Sequence, residues 1–360
     1  MSSRILDEIL RKAVEVNATD VHLKLGLPPV VRVQDSIKIL SKSLGPVRMD
    51  EIASICGEIV SERHRHLLHE GNEIDMAYSL SGVGRFRINI FRHRGQTALI
   101  ARFIPFEIRS LEQLGLPATL KNLALSNRGL ILVTGTAGSG KSTTLAAMLN
   151  EWNLNKSGHI LTIEDPVEYL MRDRKSIVTQ REVGIDTETF ATGLKFALRQ
   201  DPDVLMIGEM RDKETISTAL NAAETGHLVL STLHTKDAVE TLNRVIGVYG
   251  PESQLQVRYQ LAAALTGIVS QRLIPSSQHP SGFVIAVEIM TITPRIRDCL
   301  IHPERFEEIA VAIREGEQYG MISFDQSIYK LIVEGKVTRE VGVQFATRPT
   351  DLELKLRGIS

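Results

Sequence analysis

Only two cysteines occur in 360 residues, Cys56 and Cys299, each among apolar neighbours and without C-x-x-C spacing. Ligand count excludes a zinc knuckle, and a structural disulfide is disfavoured; the thiols read as buried in a reducing compartment. Long basic runs are missing too. Lysine and arginine total 42 against 43 acids, a net charge of −1, and no aromatic-basic stripe is present. A nucleic-acid motor needs a positive surface to meet phosphate backbones, so nucleic acid is not expected as a partner. Met1 to Val14 carries charges throughout and lacks the apolar stretch of a signal peptide or membrane span. The expectation is a cytoplasmic protein whose membrane contacts are made through partners.

What is present is an ordinary globular composition, 43% apolar and 24% charged, at a length that favours two domains over one. Ile5, Leu6, Ile9, Leu10, Ala13 and Val14 recur at helical spacing. The period then shortens to two: Val21, Leu23 and Leu25, then Val31 and Val33, then Ile37 and Ile39 after a Gln34-Asp35-Ser36 turn. Met49 to Val60 reads as a helix. Ile74 to Leu80 and Arg85 to Arg92 read as a hairpin across Ser81-Gly82-Val83-Gly84, with Thr97 to Ile104 as a further strand. Residues 1–104 thus form a small α+β domain. The stretch from Pro105 to Pro117 reads as a hinge, which sets a linker at 105–118 and a second domain at 119–360. That second domain alternates strand and helix, with strands at Leu130 to Val133, Ile160 to Ile163, Val204 to Ile207 and Leu228 to Thr232. Such alternation implies a mostly parallel sheet covered on both faces. Beyond Pro251 the chain reads as mainly helical, ending in a polar segment, Ala346 to Ser360.

Directly after its first strand the second domain carries Gly135-Thr136-Ala137-Gly138-Ser139-Gly140-Lys141-Ser142-Thr143, which fits G-x-x-x-x-G-K-[ST] at every fixed position. An apolar strand precedes it and a helix-favouring run follows. Such a loop meets phosphate charge with backbone N–H groups that glycine allows close. Lys141 is placed to reach the β- and γ-phosphates and Ser142 to put its hydroxyl on Mg²⁺, so ATP is the expected ligand.

Ligands of such sheets bind beyond the carboxyl ends of the strands. Glu164 follows the strand Ile160 to Ile163, Glu209 follows Val204 to Ile207, and His234 follows Leu228 to Thr232, with His227 at that strand's start. Hydrolysis of a triphosphate requires a metal site, a group that orients or deprotonates water, and donors for γ-phosphate charge. Glu209 suits the Mg²⁺ shell through water, although Gly208 stands where an aspartate is commoner. Glu164 suits the general base; a helix-capping or surface acid is the plainer alternative. His234 suits a γ-phosphate donor or a structural histidine. On the hairpin, Arg85, Arg87, Arg92 and Arg94, with Arg102 on the next strand, read either as a solvated face or as cations that approach nucleotide across a subunit or domain junction.

Together these blocks resemble the secretion ATPase superfamily of type II secretion and type IV pili, and within it the PilT-type retraction ATPases. Ile160 to Tyr169 (ILTIEDPVEY) is similar to the family's Asp box, Asp203 to Asp212 (DVLMIGEMRD) to its Walker B block and Ala223 to Thr235 (AETGHLVLSTLHT) to its His box. Supporting stretches include RFRIN at Arg85, QREVG at Gln180, ALRQDP at Ala197, SQRLI at Ser270 and YGMISFDQ at Tyr319. The resemblance implies a PAS-like N-terminal domain followed by a RecA-like P-loop ATPase domain. It implies Glu164 as catalytic glutamate, Glu209 at the metal, His227 and His234 as box histidines, and Arg87 and Arg102 as arginines that reach ATP. It further implies a homohexamer that turns an inner-membrane pilus platform protein and works with paralogous motor ATPases. Assembly and type II secretion ATPases usually carry a longer N-terminal region and a four-cysteine zinc module, which favours retraction here. The family's Ala-Ile-Arg-Asn-Leu-Ile-Arg-Glu helix is matched by Arg295-Ile296-Arg297-Asp298-Cys299-Leu300-Ile301-His302, without the final Arg-Glu pair. An accessory paralog role therefore stays open beside the main retraction motor.

Overall fold

A computed structural model describes residues 3–33, 36–60, 62, 65–66, 73–104, 108–279 and 282–358. Gln34 and Asp35 of the expected turn, 105–107 of the expected hinge and 359–360 of the polar tail lie outside the described residues. Two units emerge, Met1–Glu107 with Pro166–Leu170, and Ile108–Asp165 with Met171–Ser360.

In the first unit the helical stripe forms α1 (Ser3–Glu15), and the alternating segments form β1 (Asp20–Leu23), β2 (Val30–Val33) and β3 (Ser36–Ile39). Then come α2 (Met49–Ile59), β4 (Ile74–Leu80), β5 (Gly84–His93) and β6 (Gln96–Ile104). The six strands make one antiparallel sheet in the order β3-β2-β1-β6-β5-β4. Leu6, Ile9, Leu10 and Ala13 of α1 meet Ile52, Ile55 and Cys56 of α2 over one face of the sheet, where Phe86, Ile88 and Ile90 of β5 are buried completely. The period of two along β5 is what turns Arg85 and Arg87 to the opposite face.

In the second unit a short helix (Thr119–Ala124) leads into β7 (Gly129–Thr134), α3 (Lys141–Asn155), β8 (His159–Glu164), β9 (Ile177–Glu182), β10 (Val204–Ile207), β11 (Leu228–Leu233), β12 (Leu265–Pro275) and β13 (Phe283–Thr291), with helices between and after them. The sheet order is β13-β12-β7-β11-β10-β8-β9, parallel except for β13. Alternate residues feed two cores. Leu130 and Leu132 face one, with the helices Lys213–Glu224 and Ala238–Gly247; Ile131 and Val133 face the other, with Met148 and Trp152 of α3. Leu111 and Leu116, from the stretch read as a hinge, are buried in this second core.

The region after Pro251 departs from the helical reading. β12 and β13 are among the longest strands, and β12 lies directly against β7. The sequence hid β12 because a strand buried on both faces lacks alternation, and Ser270, Gln271 and Arg272 interrupt its apolar run. β9 was likewise missed, since Thr179, Gln180 and Arg181 give it a polar surface at the sheet edge. The polar tail carries a helix, Pro349–Leu356, anchored by buried Leu352. Among the described residues no helix is long and apolar enough to cross a membrane.

Candidate active site

The register of the central strands decides which side chains share an edge. Thr134 at the end of β7 pairs with Leu233 of β11, Ser231 of β11 with Ile207 of β10, and Ile207 with Ile163 of β8. Parallel strands in this register bring the glycine loop, His234, Glu209 and Glu164 to one carboxyl edge. From β7 to β8 there are three interstrand steps, roughly 14 Å. The loop and Glu164 therefore leave the sheet at the same edge, three strands apart.

The loop is built as its composition requires. Gly135 has φ 146°, and a Cβ there would lie 2.5 Å from Ser139 Oγ and 2.6 Å from the Gln271 carbonyl oxygen of β12. Gly140 (φ 90°) precedes α3, whose start has no side-chain cap. Those first N–H groups point to where an anion sits. Lys141 is 8% exposed, and its Nζ donates to the carbonyls of Gly135 at 2.9 Å and Thr136 at 3.0 Å. The ammonium is thus folded over the loop, within reach of phosphate. Among the described residues the Ser139 hydroxyl is buried with no hydrogen-bond partner, as befits a loop that closes on oxygen acceptors.

Glu164 is 6% exposed, and its Oε1 accepts from the Thr162 hydroxyl at 2.7 Å and from the Gln180 side-chain amide at 3.0 Å. Gln180 is itself held, accepting from the Met171 N–H at 2.8 Å. Thr162 and Gln180 were not singled out for this role from sequence, although QREVG carries Gln180. Glu209 is bracketed by Thr232, whose hydroxyl donates to the Gly208 carbonyl at 2.6 Å and whose own carbonyl accepts from the Met210 N–H at 3.2 Å. Its carboxylate pairs with Arg211 at 2.7 Å and with His234 Nε2 at 3.6 Å. The hydrogen bond from Arg211 to Glu209 raises the guanidinium pKa. A Cβ at Gly208 would lie 3.3 Å from the Ile163 carbonyl oxygen and 3.5 Å from Glu164 Cα, so the chain there passes tightly behind the Glu164 backbone.

His227 does not join this group. It precedes β11, its carbonyl accepts from Gly129 at the start of β7, and its Nδ1 lies 3.0 Å from the Ala222 carbonyl oxygen. The amino end of the strand is the wrong end of the sheet for the phosphate loop. Arg87 and Arg102 belong to the first unit and are cross-strand partners. Arg87 pairs with Asp75 at 3.4 Å and Arg102 with Asp20 at 2.8 Å. Burial works to raise the Asp20 pKa, but hydrogen bonds from Arg102 and Thr19 outweigh it and hold the carboxyl below its ordinary value.

Among the described residues no cluster of three or more His, Cys, Asp or Glu side chains could hold a metal by itself. The donor set of Ser142 and Glu209 instead suits Mg²⁺, which keeps several waters and binds chiefly through substrate phosphates. A cavity of about 440 Å³ adjoins the loop, lined by Gly140, Thr143, Arg109, Leu273, Phe283 and Ile285 among others.

A glycine loop between a buried parallel strand and a helix, with acids and a histidine at the neighbouring strand ends, defines a P-loop nucleotide-binding protein of α/β class. The type II/IV secretion system protein family matches residues 81–311. Over 335 residues the chain is 41% identical to the type IV pilus retraction ATPase PilT of Pseudomonas aeruginosa, covering 93% of this chain and 96% of that one. It is 38% identical to the type IV pilus ATPase PilU of the same organism over 351 residues, 98% of this chain and 91% of that one. A crystal structure of the pilus retraction motor PilT with bound ADP superposes with TM-score 0.89 at 42% identity, covering 96% of this chain and 98% of that one. The chain belongs to the type II/IV secretion system protein family.

Proposed function

We propose that this ATPase is the motor subunit of type IV pilus retraction, the activity that underlies twitching motility. The observation that carries the reading is the shared carboxyl edge of β7, β11, β10 and β8, which aligns Lys141, His234, Glu209 and Glu164. Likeness to PilT over nearly the whole chain supports it.

In this reading the loop amides, Lys141 and the start of α3 bind the triphosphate, and the cavity beside Thr143 receives the base. Ser142 and Glu209 would hold Mg²⁺, which when bound offsets phosphate charge. Glu164, kept in one orientation by Thr162 and Gln180, takes a proton from water as its oxygen bonds to the γ-phosphorus, and the bond to the ADP oxygen breaks. His234 donates to the γ-phosphate and carries its loss to Glu209. Arg87 and Arg102 approach the nucleotide of a neighbouring subunit from a PAS-like first domain. Six copies form a ring at an inner-membrane platform protein, and domain motion over the cycle turns that partner.

The test is steady-state ATP turnover with and without Glu164→Gln. Measurable wild-type hydrolysis that falls at least about a hundredfold in the variant, with nucleotide affinity kept, is the expected result. No loss in the variant removes Glu164 from the mechanism. A second reading, an accessory paralog that acts only beside a main motor, is favoured by the nearly equal likeness to PilU and by the altered Arg295 to His302 helix. Pilus retraction recorded in cells that carry this gene and no paralog separates the two.

A further inference from the structure

Beneath the phosphate loop four buried hydroxyls meet. Thr134, the last residue of β7, lies 2.9 Å (Oγ1 to Oγ) from Ser270 of β12. Thr241, in the helix Ala238–Gly247, lies 3.4 Å from Thr134 and 2.6 Å from Thr235, and donates to the Asp237 carbonyl at 2.7 Å. None of the four is more than 4% exposed. Thr134 precedes Gly135 of the loop, and Thr235 follows His234. The set therefore joins the two ends of the site that a γ-phosphate would separate.

Packing alone does not account for it. Burying a hydroxyl is unfavourable unless it is hydrogen-bonded, whereas valine has the shape of threonine without that cost. Four hydroxyls from β7, β12, a helix and a turn satisfy one another where apolar side chains of the same volume would fill the space. Hydrogen bonds have direction where apolar contacts have none, so this arrangement fixes the lateral position of Thr134 relative to the turn. Thr241 touches both sides and is the hub.

We propose that Thr241 is a positioning residue for the phosphate site, its hydroxyl holding the turn that carries His234 in register with the strand end that carries the loop. It touches no substrate, and it rests on the ATPase reading of the same site. Loss of the link leaves the loop amides and Lys141 in place, so ATP binding persists while alignment in the transition state suffers.

The experiment measures kcat and KM for ATP in wild type, Lys141→Ala, Thr241→Val, Thr241→Ser and Ser327→Ala, the last removing a buried hydroxyl that serves the Val287 N–H elsewhere. Wild-type turnover that Lys141→Ala abolishes upholds the ATPase reading; turnover unaffected by that change overturns the reading itself. Given that turnover, Thr241→Val is expected to lower kcat about tenfold with KM within about twofold, while Thr241→Ser stays near wild type. An unchanged kcat in Thr241→Val, failure of serine to rescue, or an equal loss in Ser327→Ala overturns the proposal. Should Thr241→Val not fold, Thr134→Val reads the same link from the other side. The same selective loss of kcat supports the proposal there, and an unchanged kcat overturns it.

Discussion

At the scale of single residues, the site depends on one backbone position that tolerates no side chain. Gly135 combines φ 146° with close approach of both Ser139 and the β12 backbone at Gln271. A methyl group there must displace the loop from β12, because the Gln271 carbonyl is backbone and cannot swing aside. Strain of this kind is worth on the order of 1–3 kcal/mol, and it falls on the loop that the proposed mechanism sets against phosphate. Gly135→Ala is therefore expected to weaken ADP binding at least about tenfold while leaving the melting temperature within a few degrees. Titration with a fluorescent ADP analogue checks it; unaltered affinity would return Gly135 to an ordinary turn. The places of Lys141 and Glu164 were legible in sequence because a short motif fixes the first and a strand end fixes the second. Gln180, which orients Glu164, was not, since its contact crosses from β9 to β8 and no local spacing encodes it; Thr162 stands two residues before Glu164 on the same face of β8, but a threonine inside an apolar strand gives no sign that its hydroxyl serves that carboxylate.

Among the elements, β12 and β13 change how the sheet works. They cover the side of β7 away from β11, and Gln271 donates its side-chain amide to Thr144 of α3 at 2.8 Å. The helix that begins at the phosphate loop is thereby tied to a strand that sequence periodicity read as helix. β13 adds Glu288, whose Oε1 accepts from the Ala238 N–H at 3.0 Å, at the start of the helix that carries Thr241. Burial pushes the Glu288 pKa up to about 7; the Ala238 hydrogen bond opposes that shift, Asp237 and Asp325 add to it and Arg272 counters it. In the unfolded chain the same carboxyl titrates near 4.5. As pH rises between these values the unfolded state releases the proton first, so stability falls across roughly pH 4.5 to 7 and is level above. The full effect is at most about 3 kcal/mol. Glu288→Gln keeps an acceptor for Ala238 and removes the titration. Its melting temperature should fall less than that of wild type between pH 5 and pH 7.5, and parallel pH profiles would show that Glu288 contributes nothing to the slope.

For the whole molecule the proposed mechanism turns on which subunit's nucleotide Arg87 and Arg102 would serve. Arg87 and Arg102 occupy adjacent positions on the first unit's sheet, and each is paired to an aspartate of that sheet. Such a pair orients a guanidinium without enclosing it, and the Arg87 side chain remains 42% exposed. An arginine that neutralises transition-state charge raises turnover far more than it raises ATP affinity. Arg87→Ala should accordingly lower kcat at least about tenfold with KM nearly unchanged. A mixing experiment then locates the arginine. In a chain that uses its own Arg87, co-assembly of Arg87→Ala with Lys141→Ala gives no working site, because every chain carries one lesion. If Arg87 instead serves the neighbour, each Arg87→Ala chain that borders a Lys141→Ala chain on the correct side recovers a complete site. With equal amounts and random order in a closed ring, up to about a quarter of the sites are complete. Turnover of the co-purified mixture well above that of either variant alone is the outcome expected here. Turnover no higher than that of Arg87→Ala alone assigns the arginine to its own chain, and the neighbouring-subunit mechanism falls with it.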